Sequence, residues 1–168
     1  MEKHLKTRPK KKAFPLKKQT EIRKKAIKEI EKRLLPDSKI IKIVLMGSSV
    51  KGTFGEYEPP GFRNSLFSDF DFIIFVKDDY TIPNWLRREP SGKPFSKDEL
   101  NLAYRNPKII DEKYDFEMFF IRESSLRDPK IVKEAEEAGI PISNKSSNKH
   151  LVIYPKEMKS SHSSPNSG

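Results

Sequence analysis

The spacing of hydrophobic residues predicts the first helix of the chain. Between Thr20 and Pro36, apolar residues recur at every fourth position: Ile22, Ala26, Ile30 and Leu34. A four-residue recurrence places these side chains on one stripe of a helix, and that stripe faces a core. Thr20 is the expected N-cap of this helix and Pro36 its stop.

Two shorter helices are predicted further along the chain. One covers residues 97–105, behind a capping box formed by Ser96 and Glu99. The other begins after Asp128, which is a suitable N-cap followed by proline at the first helical position. Gly139 is its expected stop, because glycine readily ends a helix in a left-handed conformation.

Runs of β-branched and aromatic residues predict four strands. The first lies in residues 38–49 and ends in a Gly-Ser-Ser turn, and the others cover residues 69–76, 114–121 and 150–154. The segment Phe72–Val76 is almost entirely apolar, which is typical of a strand that is covered on both faces. The order of elements predicts an α/β (α+β) fold, in which helices pack on a small mixed β-sheet.

Charge is distributed unevenly along the 168 residues. Residues 1–35 contain 14 Lys and Arg against 4 Asp and Glu, whereas the remainder contains 20 of each. We expect a disordered basic arm over residues 1–19, one folded domain over residues 20–155, and a disordered polar tail over residues 156–168. A solvated basic leader is one interpretation of the excess charge, and a weak, non-specific contact with nucleic acid through residues 1–35 is the other.

Several classes of protein are disfavoured by composition. The chain has no cysteine, which excludes disulfides and cysteine metal sites. It shows neither a signal-peptide pattern nor a long apolar run, so we expect a cytoplasmic protein without a membrane partner.

Asp69 and Asp71 are separated by one residue at the start of the second strand. Because side chains alternate along a strand, both carboxylates point to the same face, where their charges repel. A hard divalent cation relieves this repulsion, and Mg²⁺ binds carboxylate oxygens while keeping waters or substrate phosphates as its other ligands. The pair predicts a Mg²⁺ site, and solvated acids at a strand end are the alternative.

A second pair of acids, Asp115 and Glu117, shares one face of the third strand by the same alternation. Three carboxylates from two neighbouring strands can hold two metal ions, about 3.5–4 Å apart, as in enzymes that displace groups at phosphorus. We therefore expect two Mg²⁺ ions, with a third ligand from this pair. The alternation permits either residue.

The turn after the first strand carries groups that suit a phosphate. Gly47 lets the backbone approach a ligand closely, and Ser48 and Ser49 offer hydroxyl and backbone N–H donors. Lys51 is a candidate contact to a triphosphate, with a solvated turn lysine as the alternative. The P-loop pattern GxxxxGK[ST] is absent, so the turn predicts another kind of nucleotide site.

Together, Gly47-Ser48 and the later Asp69-Phe70-Asp71 resemble the motif of the DNA polymerase β-like nucleotidyltransferase superfamily, in its minimal, antitoxin-type form. That motif is a strand ending in Gly-Ser, an acid-x-acid at the next strand, and a third acid on a neighbouring strand. The resemblance covers roughly residues 22–142.

Within this resemblance, Asp115 best matches the third acid, and Glu117 is the alternative. Lys51-Gly52 stands where minimal members often carry Arg-Gly. The loop between the Gly-Ser turn and the aspartates is longer than usual, as is the connection between the second and third strands.

The resemblance implies transfer of a nucleoside monophosphate from an NTP, with ATP as the first candidate, to an acceptor hydroxyl. Ser48 would hold the β- and γ-phosphates, Asp69 and Asp71 would bind both ions, and Asp115 would bind the catalytic ion and help deprotonate the acceptor. Minimal members often modify a small helical partner protein, so such a partner is expected. A catalytically silent module that binds a partner or nucleic acid is the alternative.

Overall fold

A computed structural model describes residues 9–87, 103–142 and 147–156 of the chain, which contain both strands and helices. In chain order they are β1 (Lys11–Ala13), α1 (Leu16–Leu34), β2 (Ile40–Met46), α2 (Ser48–Lys51), β3 (Gly55–Tyr57), β4 (Phe70–Val76), β5 (Ala103–Ile110), β6 (Tyr114–Arg122), a 3₁₀ turn (Glu123–Arg127), α3 (Pro129–Glu137) and β7 (His150–Tyr154).

Five of these strands form one mixed sheet in the order β5-β6-β4-β2-β7. The central pair, β4 and β6, is parallel, whereas β2 is antiparallel to both β4 and β7, and β5 is antiparallel to β6. The predicted α/β class with a small mixed sheet is confirmed. The predicted last strand is also confirmed, and it lies at the sheet edge.

Two hydrophobic clusters cover opposite faces of the sheet, and α1 packs in one of them and α3 in the other. The predicted stripe of α1 is buried, and it belongs to a cluster with the inward side chains of β2, β4 and β6. Val44, Ile73 and Phe75 pack on the other face with Ala135 of α3. Each large buried side chain contributes about 1.5–3 kcal/mol through removal of apolar surface from water. Strand β4 is therefore covered on both faces, as its apolar run predicts.

The predicted disordered arm is wrong for residues 9–19. Strand β1 pairs with β3, and α1 begins at Leu16 rather than after Thr20. Gln19 lies buried in the first turn, and its side-chain amide donates a hydrogen bond to the carbonyl oxygen of Phe14 at 2.7 Å. Contacts with distant parts of the chain order this basic segment, and its composition alone does not reveal them.

The predicted helix over residues 97–105 is wrong for its last three residues, which lie in β5. Tyr104 packs edge-on against Phe120 of β6, with ring centroids 5.7 Å apart. Pairing with β6 thus overrides the local helical preference. The rest of that helix and its capping box lie outside the described residues, as do residues 1–8 of the arm and 157–168 of the tail.

The last predicted helix, α3, is confirmed together with its ends. The Asp128 carboxylate accepts a hydrogen bond from the backbone N–H of Lys130 at 3.0 Å, and Pro129 takes the first helical position. Gly139 follows the helix at φ +85°, a left-handed conformation that costs glycine little. This end of α3 borders the cleft described below.

Candidate functional site

The turn after β2 is shaped around the carboxylate of Asp71. Met46, the last residue of β2, pairs with Asp71 in the antiparallel ladder, so the next residue lies beside that carboxylate. Gly47 has φ +88°, and a Cβ atom at this position would lie 2.5 Å from Oδ2 of Asp71. Only glycine provides both this backbone conformation and this space.

Three carboxylates meet where β4 and β6 begin to pair. Asp71 lies opposite Glu117 in the parallel register, and Asp69 precedes Asp71 by two residues. One oxygen from each of Asp69, Asp71 and Glu117 lies within 4.8 Å of the others. The pair predicted from the sequence is thus joined by a third acid from the neighbouring strand.

Asp115, the preferred third acid in the resemblance, is not part of this group. Its Oδ2 accepts a hydrogen bond from Arg105 Nη2 at 3.2 Å, and its Oδ1 accepts one from the backbone N–H of Lys108 at 2.9 Å. The side chain is buried and does not line the cleft. The structure therefore favours Glu117, the alternative, because both Asp115 oxygens already accept hydrogen bonds within the protein.

Burial of the acidic group raises the pKa values of both aspartates. Desolvation is the main reason that the pKa of Asp71 is raised well above its usual range, and the Asp69 and Glu117 carboxylates raise it further. Desolvation also raises the pKa of Asp69, although the guanidinium groups of Arg105 and Arg63 oppose the shift. Ionisation of all three acids is therefore unfavourable unless a cation binds among them.

The donor set fits a hard divalent cation. Mg²⁺ prefers carboxylate oxygens, and Asp69, Asp71 and Glu117 each offer one within reach of a common centre. Gly47 gives the Asp71 carboxylate its space in the group. A cation would also reverse the effect of burial on these acids, because it favours their ionised forms.

Arg105 is a site residue that the sequence analysis did not identify. It projects from β5, with Nη1 3.6 Å from Asp69 Oδ2 and Nη2 3.2 Å from Asp115 Oδ2. Its position follows from the antiparallel register, in which it pairs with Glu117. Recognising residues 103–110 as a strand beside the acid-bearing strand would place it here, but the capping box predicts a helix over residues 97–105.

A cleft of about 520 Å³ opens over the carboxylates, and this volume is typical of small-ligand sites. Ser48 and Lys51 line it from the turn after β2, as predicted, together with Gly47. Arg63 reaches the cleft from the long loop between β3 and β4. The cleft thus combines an acidic floor with cationic side chains, which suits a ligand that carries both a metal ion and phosphates.

Lys11 also lines the cleft, although its segment was expected to be disordered. Pairing of β1 with β3 carries it there, and its Nζ donates a hydrogen bond to Ser68 Oγ at 3.2 Å. The same Ser68 Oγ accepts a hydrogen bond from the backbone N–H of Gly55 at 3.0 Å. A three-residue strand has too little periodicity to be predicted, so no local signal marks Lys11.

Ser49 is the one residue of the predicted nucleotide-binding turn that the structure directs away from the cleft. It is 3% exposed and does not line the cleft, unlike Ser48. Consecutive residues of a helix point about 100° apart, so the side chains of Ser48 and Ser49 leave α2 in different directions. The structure therefore does not bring the Ser49 side chain to the cleft, and a contact from its backbone N–H stays a prediction.

Comparison with protein-family models, with curated proteins and with solved structures finds no match to this chain. Among the described residues, no helix has the length and apolar character needed to cross a membrane. The function is therefore inferred from the geometry and charge of the cleft and from the order of its residues in the sequence.

Proposed function

We propose that this chain is a metal-dependent nucleotidyltransferase, which moves a nucleoside monophosphate from an NTP to an acceptor hydroxyl. The observation that carries the proposal is the approach of Asp69, Asp71 and Glu117 to within 4.8 Å of one another, beside the Gly47-Ser48 turn. Three half-buried acids at this separation repel one another, and this is costly without a cation. A metal-bound triphosphate would supply that cation and use the cationic walls of the cleft.

The proposed reaction is an in-line displacement. The acceptor oxygen bonds to the α-phosphorus, the bond from that phosphorus to the bridging oxygen of the β-phosphate breaks, pyrophosphate leaves, and the acceptor proton passes to solvent. Asp69, Asp71 and Glu117 would hold Mg²⁺, which supplies positive charge to the reacting phosphate oxygens. Lys51 and Arg63 would contact the outer phosphates. Positioning and electrostatic stabilisation supply most of the catalysis in such transfers.

The family resemblance supports a small helical protein as the acceptor, modified on a hydroxyl side chain. ATP is the first candidate donor. The cleft itself supports the triphosphate and metal part of the proposal, through its acids and cations. The geometry of the cleft does not select the acceptor, and the transfer experiment below identifies it.

The test is transfer of label from the four α-³²P nucleoside triphosphates to candidate small helical proteins, with Mg²⁺ or Mn²⁺. We expect transfer only with metal, and a loss of at least 100-fold in Asp71→Asn, because this substitution removes a carboxylate ligand. Asp79→Asn is the matched control, since Asp79 is an exposed acid beyond the opposite end of β4. Tight NTP binding in EDTA, or full transfer by Asp71→Asn, would contradict the proposal.

A second candidate function is binding of nucleic acid by α1 and the residues before it. The observation that favours it is a row of exposed lysines on an ordered helix rather than on a disordered arm. The exposed lysines of this segment are Lys10, Lys12, Lys17, Lys18, Lys24, Lys25, Lys28 and Lys32. An ordered cationic surface attracts a phosphate backbone without specifying its sequence.

A further inference from the structure

Four carboxylates lie on one face of the β4–β6 pair. Three of them form a group, and Arg105 lies between this group and the fourth. Asp69, Asp71 and Glu117 form the group whose oxygens lie within 4.8 Å of one another. Asp115 lies outside that group and is held by Arg105. Asp69 belongs to the group of three acids and also contacts Arg105, because its Oδ2 is 3.6 Å from Arg105 Nη1.

This arrangement contains two places for a cation. The first lies among the three grouped carboxylates and opens to the cleft. The second lies between Asp69 and Asp115, and the guanidinium of Arg105 fills it. A guanidinium carries its charge at every pH at which the protein is folded, and its planar fork can contact two carboxylates at once.

Asp115 directs both of its oxygens to partners within the protein. Oδ2 accepts from Arg105 and Oδ1 accepts from the N–H of Lys108, and the residue is only 5% exposed. Moving the guanidinium aside would break its ion pair with Asp69 and leave the buried Asp115 carboxylate without its cation, which is unfavourable. The pair is therefore a fixed part of the fold rather than a gate.

We propose that the site binds one divalent cation, and that Arg105 is a built-in cation in the place of the second ion of a two-metal site. This proposal rests on the proposed function for its assumption of a bound triphosphate. It changes the expectation from the sequence, which is two Mg²⁺ ions with Asp115 as the preferred third ligand and Glu117 as the alternative. Arg105 is a positioning residue, since it acts through Asp69 and Asp115.

The test is electron paramagnetic resonance of Mn²⁺ bound to the full chain in the presence of α,β-methylene ATP. Two ions about 3.5–4 Å apart give a spin-coupled spectrum, and a single bound ion does not. We expect one uncoupled ion per wild-type chain. Arg105→Met should bind two coupled ions, because it frees Asp115 and removes the charge that repels a second cation.

Two further variants test whether the position of the guanidinium, and not only its charge, excludes the second ion. Lys11→Met removes an equal charge from the same cleft, and it should still bind one ion. Arg105→Met combined with Asp115→Asn lacks the second carboxylate pair, and it should return to one ion. Thermal melting checks the fold of each variant, and Arg105→Gln, which also lacks the charge, takes the place of Arg105→Met should the latter not fold.

The possible results separate this proposal from the proposed function. A coupled pair in the wild type overturns the proposal and leaves a nucleotidyltransferase of the two-metal kind. A single uncoupled ion in folded Arg105→Met also overturns it, because the guanidinium would then not be what excludes the second ion. Absence of bound Mn²⁺ with the analogues of all four nucleotides would overturn the proposed function as well.

Discussion

Among single residues, Gly47 gives the sharpest expectation for stability. It combines a left-handed backbone, φ +88°, with a side-chain position only 2.5 Å from Asp71 Oδ2. An L-residue in such a conformation costs about 1–3 kcal/mol, and the contact adds to this cost. We expect Gly47→Ala to lower the free energy of unfolding by more than that amount and to weaken Mn²⁺ binding, as measured by urea unfolding and metal titration.

Gly139→Ala is the control for this substitution. Gly139 has a similar positive φ, +85°, but a Cβ atom there would meet nothing within 4 Å. Its variant should therefore show only the backbone cost and bind metal normally. Equal losses in both variants would show that contact with Asp71 contributes nothing at position 47.

Asp71 should make the metal-free protein less stable as the pH rises. Its pKa is raised well above the usual range by burial and then by Asp69 and Glu117. The pKa of an aspartate in the unfolded chain is about 4. When the pKa in the folded state is higher, the protonated group stabilises the fold below the unfolded pKa, and this stabilisation is lost as the pH rises through the folded pKa. In EDTA, Asp71→Asn should be more stable than wild type at neutral pH, and the difference should shrink toward pH 4.

Asp79→Asn tests the sign of this effect. The pKa of Asp79 is lowered, chiefly by the Lys39 hydrogen bond, so its small contribution is present above the unfolded pKa and is lost as pH falls. Its variant should lose stability at neutral pH and match wild type in acid. Urea unfolding of both variants across pH 4–8 makes the comparison, and a common direction would contradict the assignment of Asp71.

Among the secondary-structure elements, β1 is the one whose removal is most informative. Phe14, which follows it, packs against Phe54 and Phe67 with centroids 6.2 Å away in each case. A Cβ atom at Gly55 would overlap the carbonyl oxygen of Lys12, so the backbones of the paired strands β1 and β3 lie very close together. We expect a chain that starts at residue 15 to lose about 2 kcal/mol or more of unfolding free energy, measured by urea unfolding.

A chain that starts at residue 9 is the control for this truncation. It keeps β1 and Phe14, so we expect its unfolding free energy to stay within about 0.5 kcal/mol of the full chain. A solvated leader over the whole of residues 1–19 would instead make both truncations neutral. That result would contradict the pairing of β1 with β3.

For the molecule as a whole, the charge on α1 should act separately from the cleft. Lys24, Lys28 and Lys32 are exposed and recur every fourth residue, so they share one face of the helix. Their replacement by glutamate should weaken non-specific RNA and DNA binding. The log–log salt dependence on duplex DNA should flatten by about 0.9 for each lost phosphate contact, while nucleotide transfer to a protein acceptor stays unchanged.

Replacement of Lys113, Lys130 and Lys133 by glutamate changes the charge equally at exposed positions outside α1. We expect this control to alter the salt dependence less, as measured by fluorescence anisotropy at several salt concentrations. Salt-resistant, sequence-specific binding that is lost with the α1 lysines would place nucleic-acid recognition above nucleotide transfer as the function.

Elements with a strong local period could be predicted from the sequence, and the acid pair could be predicted with them. The four-residue stripe of α1, the apolar run of β4 and the caps of α3 each depend on residues close together in the chain. Asp69 and Asp71 share a face because a strand alternates, and Gly47 already indicates a turn that needs glycine. These features are decided by short-range geometry, which the sequence contains in full.

Tertiary structure alone decided which residues meet that pair. The parallel register of β4 and β6 brings Glu117 to Asp71, and the pairing of β5 with β6 brings Arg105 to Asp115. Lys11 reaches the cleft because a three-residue strand pairs with β3. Each of these contacts joins segments far apart in the chain, and a local pattern cannot specify a register set by the packing of a whole sheet.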